Sequence, residues 1–414
     1  MRPLTRSAVS PETSYIRVLV SGAILVLPSS ILIAPHLGEA AYILLAILGL
    51  YYFIRNGLYF TKNRSVLLFS LLTLGFYLAG LVSGLVSDSH PAAPWKPGNL
   101  REFLAAPFIV LSLFISRVGT RFLMLAIKLS ALLVFIVVFY QMMTGTDRPG
   151  GAVNPLVFAI ISLLLGCFSI IRFPLESVTE RLLSLTAFTA GVMACVISQS
   201  RAVWLLSVFL FTCILFAWYR TGRLTKLATL GITTLILIMT VISLQLPAVQ
   251  QRINSAQDNY QAFHIRGEWD NSLGRRIIMW KSGLSAAMKK PVFGWGTDQT
   301  QVAAASQLES PAMKQAVLGY NHLHNEYITS LVAKGIPGLL VLLLLLFVPL
   351  VIFVGRSTDP ERLAQNGIGI LLCIGYALSA LTNQAFGDDT LNIFFIFFLA
   401  ITLPDNEYTS VAPD

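Results

Sequence analysis

Arginines in two separate stretches of the chain have the chemistry to hold a phosphate-type anion. Arg201 ends a Ser-Gln-Ser-Arg segment between two apolar runs, and Arg275 and Arg276 lie side by side further along. A guanidinium is planar and always charged, so it can donate two parallel hydrogen bonds to a phosphate. The positive end of a helix starting near Arg275 would favour an anion too. Snorkelling to lipid headgroups or contact with anionic lipid is the alternative interpretation of these arginines.

Two of the five histidines, His322 and His324, lie where a long hydrophilic stretch returns to apolar sequence. Histidine titrates near neutral pH and can take a proton from a hydroxyl group. If a helix already includes His324, that residue shares one face with Tyr327, Ile328 and Leu331 and points into a helical bundle. We therefore expect His324 to act as a general base, although a histidine that only caps the helix would give the same local pattern.

A metal site is the competing interpretation of these polar segments. Glu268 and Asp270 form an acid-x-acid pair of the kind that can hold a divalent ion beside a diphosphate. His322 and His324 could chelate only in an extended segment, because ligands on a helix need a spacing of four residues. We expect a site without metal or other cofactor, in which arginines neutralise the charge that a cation would otherwise neutralise.

The elements that position these residues must be membrane-spanning helices. The chain is 55% hydrophobic and only 12% charged, whereas soluble domains carry roughly 25% charged residues. Crossing a hydrocarbon layer of ~30 Å takes about 20 apolar residues as a helix, and backbone groups in lipid must be satisfied internally. The formal net charge of +9 comes mostly from residues at the ends of apolar runs, which indicates membrane topology and not nucleic-acid binding. All four cysteines lie within apolar runs and predict small core residues.

The predicted fold is an all-α polytopic membrane protein with about 12 transmembrane helices and one large, mostly helical loop. The predicted spans are 16–35, 38–54, 65–87, 102–116, 121–143, 152–171, 182–199, 202–219, 226–245, 325–354, 364–383 and 390–403. Basic residues concentrate in alternate loops, which predicts that both termini are cytoplasmic and that the large loop lies outside. Three regions follow, namely 1–245 with nine helices, 246–324 as the loop, and 325–414 with three helices and a cytoplasmic tail.

The polar segments together resemble the bacterial O-antigen ligases, which share a domain with O-antigen polymerases and protein O-oligosaccharyltransferases. The matching motifs are Ser-x-Ser-Arg at 198–201, an arginine four residues before Trp280, Pro-x-x-Gly-x-Gly at 291–296, and His324-Asn325 with Gly335 following. The doubled arginine leaves open whether Arg275 or Arg276 aligns with the family motif.

This resemblance implies a GT-C-like glycosyltransferase architecture and a multi-pass location in a Gram-negative inner membrane, with a periplasmic active site. The implied reaction moves O-antigen from undecaprenyl diphosphate to the lipid A-core oligosaccharide, inverting and metal-independent, with membrane lipids as further partners. His324 would be the base, and Arg201 with Arg275 or Arg276 would bind the diphosphate. Further candidates for contacts with the substrate or with these residues are Arg266, His322, Asn325, Gln199, Ser200 and Trp280.

Three alternatives remain open at this point. The same motifs fit an O-antigen polymerase or a protein O-oligosaccharyltransferase, which use the same lipid-linked donor. A transporter of lipid-linked glycans is a rival from another class, and transporters place ionisable groups at mid-bilayer between repeated broken helices. Here the spans contain few charges apart from Lys128 and Lys334, and the break at 335–338 has no repeat. The sequence therefore favours an enzyme.

Overall fold

The computed structural model describes residues 11–57, 63–87, 100–172, 175–220, 222, 247–320, 322–356 and 362–404. Within these ranges every regular element is a helix, and the predicted all-α class is confirmed. The predicted ninth span, 226–245, lies outside the described residues.

Eleven helices correspond to predicted spans, with ends that agree to within a few residues. They are α1 (Pro11–Ile33), α2 (Pro35–Asn56), α3 (Arg64–Val86), α4 (Arg101–Ser116), α5 (Thr120–Met143), α6 (Pro155–Ser169), α7 (Val178–Ile197), α8 (Arg201–Arg220), α13 (Glu326–Gly355), α14 (Leu363–Ser379) and α15 (Asp389–Thr402). Among the helices described, α1, α2, α3, α5, α7 and α13 are long and apolar enough to cross a membrane. Helices α6, α14 and α15, and residues 203–219 of α8, are apolar but shorter.

The hydrophilic stretch between α8 and α13 is mostly helical, as predicted. It contains α9 (Pro247–His264), α10 (Ser272–Lys289), α11 (Thr300–Ala305) and α12 (Pro311–Leu318). Asn271 begins α10 by accepting hydrogen bonds from the backbone N–H groups of Leu273 and Gly274, a strong N-cap arrangement. Helices α10, α11 and α12 share a small hydrophobic core with the first turns of α13, and this core includes Met279, Leu323 and Val332. The hydrophilic region is thus packed directly onto one end of the bundle.

Helix α15 lies at the centre of the bundle and contacts α4, α14 and several other helices. Residues 391–400 of this helix are all buried, which fits a sequence that is apolar apart from Asn392. Aromatic rings fill the surrounding space, as where Phe168 packs on Phe394 and Phe398. The short helix therefore forms the core of the bundle rather than a lipid-facing surface.

A buried ion pair lies between α5 and the segment before α7. The ammonium group of Lys128 is 2.6 Å from a carboxylate oxygen of Glu176, and the hydroxyl of Ser184 donates to the other carboxylate oxygen. All three side chains are buried. The charge of Lys128 is therefore neutralised inside the protein.

Helix α13 is broken at Gly335, as the sequence predicts, and the hydrophilic region holds the break in place. Gly335 has φ 67° and ψ −167°, a conformation that residues with a Cβ avoid. The Ile336 N–H donates to the Pro291 carbonyl at 2.7 Å, and a Cβ on Gly335 would lie 2.2 Å from the Val292 carbonyl oxygen. A Cβ on Gly294 would overlap the backbone of Ala333 in the same way. The Pro-x-x-Gly-x-Gly motif and the glycine break therefore form one backbone-to-backbone contact.

Candidate functional site

His324 lies in a tight turn immediately before α13. Asn325 begins the helix, because its side-chain oxygen accepts the N–H of Ile328 at 3.0 Å. His324 itself has φ 51°, a left-handed conformation that is uncommon for residues other than glycine. The expected helical face shared by His324, Tyr327 and Leu331 is therefore wrong, and the capping role belongs to Asn325. A strained backbone at such a position is typical of functional sites.

Both flanks of this turn are fixed by hydrogen bonds from other elements. On one side the indole N–H of Trp280 donates to the Leu323 carbonyl at 3.0 Å. On the other side the side-chain amide of Asn325 donates to the Leu381 carbonyl at 3.2 Å. Two of the predicted secondary contacts, Trp280 and Asn325, thus hold the histidine turn in place.

The two histidines of the turn are in contact with each other. The ring centres of His322 and His324 are 4.3 Å apart, and the ring of Tyr320 lies 5.1 Å from that of His324. The Nε2 atom of His322 is buried and has no hydrogen-bond partner within the described part of the chain. A buried polar atom without a partner is rare in proteins and indicates a missing ligand, water or ion.

Burial, together with the nearby His322 and Arg276, lowers the pKa of His324 to about 4. Burial also lowers the pKa of His322. Both imidazoles are therefore neutral at neutral pH, so His324 is free to accept a proton. Arg276 is one of the causes of this low pKa, so its positive charge acts electrostatically on His324.

The two adjacent arginines of α10, Arg275 and Arg276, lie in different environments. Arg275 donates to the Asp270 carboxylate at 2.8 Å and to the Tyr320 hydroxyl at 3.0 Å. Arg276 is half-buried and makes no hydrogen bond or ion pair with any described residue. Successive residues of a helix project about 100° apart, so Arg275 serves the internal structure of the hydrophilic region while Arg276 is available to a ligand.

The Ser-Gln-Ser-Arg segment forms the turn between α7 and α8. Gln199 has φ 57°, and its side-chain amide donates to the Asp147 carbonyl at 3.2 Å. The Ser200 hydroxyl donates to the Pro155 carbonyl at 3.0 Å, which ties the turn to the first residue of α6. Helix α8 begins at Arg201, whose side chain lies outside the described part of the structure.

A polar cavity of about 500 Å³ lies beside the histidine turn. His322 and His324 line it together with side chains of the bundle and of two loops, namely Leu100, Asn154, Leu156, Val157, Thr297, Asp298, Thr300, Glu326, Thr329, Ser330, Ala333, Lys334, Asn383, Gln384, Phe386, Gly387 and Asp388. Asn154 and Leu156 of this lining flank Pro155, whose carbonyl accepts the Ser200 hydroxyl, so the cavity borders the end of α6 to which the α7–α8 turn is bonded. Hydroxyl and amide groups of this kind suit a carbohydrate.

Arg266 is not brought to this cavity. Its guanidinium pairs with the Glu268 carboxylate at 3.0 Å, and both side chains are exposed in a separate depression. Asp270 pairs with Arg275 at 2.6 Å. Both carboxylates of the acid-x-acid pair therefore contact arginines.

The cavity also contains residues to which the sequence assigned no function. Asn383, Gln384 and Asp388 come from the loop between α14 and α15, and Lys334 comes from the first half of α13. A run of polar residues between two apolar spans was the available signal for the loop. For Lys334 the signal was a lysine inside an apolar helix.

Fold and site together define a polytopic membrane protein with a polar cavity, where a helical hydrophilic region covers one end of the bundle. The family model described as O-antigen ligase matches residues 185–343, which include all three polar motif segments. This match confirms the resemblance seen in the motifs, and these residues fit the O-antigen ligase superfamily.

Two relatives are similar to this chain in sequence. An uncharacterized protein of Haemophilus influenzae is 26% identical over 376 residues, which cover 88% of this chain and 93% of that protein. The exopolysaccharide production protein ExoQ of Rhizobium meliloti is 30% identical over 112 residues, which cover 25% of this chain and 26% of that protein. The family supports a ligase- or polymerase-type role in polysaccharide assembly and, with it, a membrane glycosyltransferase-like activity.

Proposed function

We propose that this protein is an O-antigen ligase, which transfers a glycan from undecaprenyl diphosphate to the lipid A-core oligosaccharide. The observation that carries the proposal is a neutral His324 that lines a polar cavity next to membrane-spanning helices and is influenced electrostatically by Arg276, which has no partner among the described residues. A lipid-linked donor needs this combination, because its isoprenoid chain stays in the bilayer while its diphosphate and sugar react at the surface.

The geometry suits an inverting substitution at the anomeric carbon. The acceptor hydroxyl oxygen forms the new bond to that carbon while its proton passes to the imidazole of His324. The bond between the anomeric carbon and the diphosphate oxygen breaks, and its electron pair leaves with the diphosphate. Arg276, together with Arg201, stabilises the growing negative charge. The reaction balances without a metal ion, since the guanidinium groups provide the positive charge.

Donor binding would also prepare the base. The pKa of His324 is low partly because of the positive charge of Arg276. A diphosphate bound to Arg276 brings negative charge to the same place and raises the pKa of His324 towards its ordinary value. The histidine is therefore a stronger base when the donor is present than when it is absent.

The proposed reaction also requires a particular orientation of the chain in the membrane. The distribution of basic residues supports cytoplasmic termini and a periplasmic position for residues 246–324 in a Gram-negative inner membrane. Single cysteines introduced at exposed positions such as Lys289 in α10 test this directly. Labelling by a membrane-impermeant maleimide in intact spheroplasts is expected, and labelling only after permeabilisation would contradict the orientation.

Polymerisation of lipid-linked repeat units is the second candidate function, and the similarity to an exopolysaccharide production protein favours it. The donor chemistry is the same, but the acceptor is the terminal sugar of a second lipid-linked glycan. The cavity's polar wall can receive either acceptor, so the two reactions must be separated by their products.

The decisive experiment uses the full-length protein, purified and reconstituted in vesicles with an undecaprenyl-diphosphate-linked glycan. Three acceptors are supplied separately, namely lipid A-core, a second lipid-linked repeat unit, and a peptide containing serine and threonine. Glycosylated lipid A-core is the expected product, and activity should survive exhaustive chelation of divalent ions. Longer lipid-linked chains would identify a polymerase, a glycosylated peptide would identify a protein O-oligosaccharyltransferase, and absence of all three products would refute glycan transfer.

A further inference from the structure

Lys334 is a buried lysine in the first half of α13, and the proposed transfer mechanism gives it no role. Only 5% of the residue is exposed, yet it lines the polar cavity that contains His324. An ionisable side chain within a membrane-spanning helix is costly and is usually retained for function. The interactions of its ammonium group therefore indicate what Lys334 does.

The ammonium group of Lys334 has no hydrogen-bond acceptor among the side chains and backbone groups that the structure describes. It lies 3.9 Å from the centre of the Phe76 ring, a favourable cation–π contact. Glu326 influences it electrostatically but forms no ion pair with it at 4 Å or less. The carboxylate oxygens of Glu326 instead accept from the Ser330 hydroxyl at 3.2 Å and the Phe386 N–H at 3.1 Å.

Neighbouring residues hold the side chain and backbone of Lys334 in a fixed position. Gly338 lies one turn further along α13, and a Cβ at that residue would lie 2.1 Å from the Cβ of Lys334. The preceding carbonyl, of Ala333, accepts the Gly296 N–H at 2.9 Å and also the Ser83 hydroxyl. Helix α3 and the loop at Gly296 thus fix the backbone from which the ammonium group extends, and this reduces the entropy lost when a ligand binds.

Other charged groups of the cavity are either engaged or remote from its buried part. The Asp388 side chain accepts the backbone N–H groups of Thr390 and Leu391, which caps α15. Asp298 is exposed. Around Lys334 the wall offers neutral groups, among them Thr329, Ser330 and Asn383. The cavity therefore combines hydrogen-bonding groups suited to sugar hydroxyls with a buried ammonium that has no carboxylate of the described residues within 4 Å, since the buried Glu326 is held by Ser330 and the Phe386 N–H.

We propose that Lys334 forms a subsite for an anionic oxyacid group, a carboxylate or a phosphate, on the sugar that accepts the transferred glycan. The assignment to the acceptor rests on the proposed function, because His324 removes the acceptor's proton and lines the same cavity as Lys334. Three N–H donors on a fixed, desolvated ammonium bind such a group strongly and reject a neutral sugar, which would leave the charge unpaired.

Equilibrium binding to the purified full-length protein, without any donor, tests this subsite separately from catalysis. One trisaccharide is prepared in three forms that end in glucose, glucuronic acid or glucose 6-phosphate, and titrated by calorimetry. Wild-type protein is expected to bind at least one acidic form about tenfold or more tightly than the neutral form. Lys334→Met should abolish this preference, and Lys334→Arg should retain most of it. The preferred acidic form distinguishes a carboxylate from a phosphate ligand.

Lys290→Met is the matched control, since Lys290 also lies over an aromatic ring, that of Trp295, but does not line the cavity. Lys334→Gln provides a second neutral variant if Lys334→Met fails to fold. No acidic preference in the wild type, or an unchanged preference in the neutral variants, would overturn the proposal. Equal weakening of undecaprenyl diphosphate binding by Lys334→Met would overturn the acceptor assignment and place the donor's diphosphate there instead. Failure of transfer in vesicles would leave the binding result untouched.

Discussion

Two buried lysines in this bundle neutralise their charge in different ways. Lys128 in α5 has a carboxylate oxygen of Glu176 at 2.6 Å, and Ser184 occupies the other oxygen. The ammonium group of Lys334 in α13 lies over the face of Phe76, has no hydrogen-bond acceptor among the described residues, and borders a polar cavity. Burying an ammonium is expensive in both places, but only the second lysine leaves its charge available to a ligand.

The neighbouring arginines of α10 repeat this contrast. Arg275 is paired with Asp270 and Tyr320, whereas Arg276 lies near His324 without a partner among the described residues. We call Lys128 and Arg275 the closed cations, and Lys334 and Arg276 the open cations. Closed cations should contribute to the stability of the fold, and open cations should contribute to substrate binding and catalysis.

The largest effect on stability is expected where a closed cation is removed from a buried pair. Lys128→Met leaves the Glu176 carboxylate buried and unpaired, which should lower the free energy of unfolding by about 3–5 kcal/mol. The transfer rate per folded molecule should not change. Thermal unfolding in detergent measures the first quantity, and transfer normalised to folded protein measures the second. Lys128→Met combined with Glu176→Leu should recover most of the stability. A stable Lys128→Met protein would contradict the closed assignment.

Removal of the proposed base should have the largest effect on catalysis. His324→Ala is expected to lower the transfer rate by about 10³-fold, within the usual range for a general base, and to leave the unfolding temperature unchanged. Single-turnover transfer in vesicles measures the rate. His36→Ala, which alters an exposed histidine at the start of α2, is the control. Full activity of His324→Ala would exclude the histidine as the base.

Substitutions of the two arginines of α10 should have clearly different effects on kcat/KM. Arg276→Ala removes a donor to the leaving diphosphate and is expected to lower kcat/KM by about 10²-fold. Arg275→Ala breaks an exposed ion pair and should lower kcat/KM less than tenfold, with a small loss of stability. Equal effects of both substitutions on kcat/KM would show that the distinction between open and closed cations is wrong at this helix.

The smallest expected effect is the response to moderate acid. Because burial, His322 and Arg276 together lower the pKa of His324 to about 4, this residue stays neutral as the pH falls from 7.5 to 5.5. The kcat/KM of the wild type should change less than about twofold over this interval, with its acid limb near pH 4. Arg276→Gln removes one cause of the low pKa of His324 and should move the acid limb of the kcat/KM profile to higher pH. A wild-type limb near pH 6.5 would indicate an ordinary, solvated histidine.

The hydropathy pattern was sufficient to predict the helical bundle, because long uncharged runs can satisfy their backbone in lipid only as helices. The break at Gly335 and the turn at 294–296 were also visible as glycine motifs, although their mutual contact was not. A short motif contains no information about contacts between residues distant in the chain.

The details of the site depended on such contacts. Whether His324 lies on α13 was decided by the cap at Asn325, because the helix begins at Glu326, two residues after His324. Arg275 and Arg276 are equivalent in sequence, and only the positions of Asp270 and Tyr320 distinguish them. The loop at 383–388 reaches the cavity from a part of the chain that the family model does not match.

The most direct test of the central claim is an experimental structure of the protein with undecaprenyl diphosphate bound. We expect phosphate oxygens to lie about 3 Å from the guanidinium of Arg276, with His324 facing the sugar end of the diphosphate. A diphosphate bound elsewhere on the protein, with Arg276 still lacking a ligand, would contradict it.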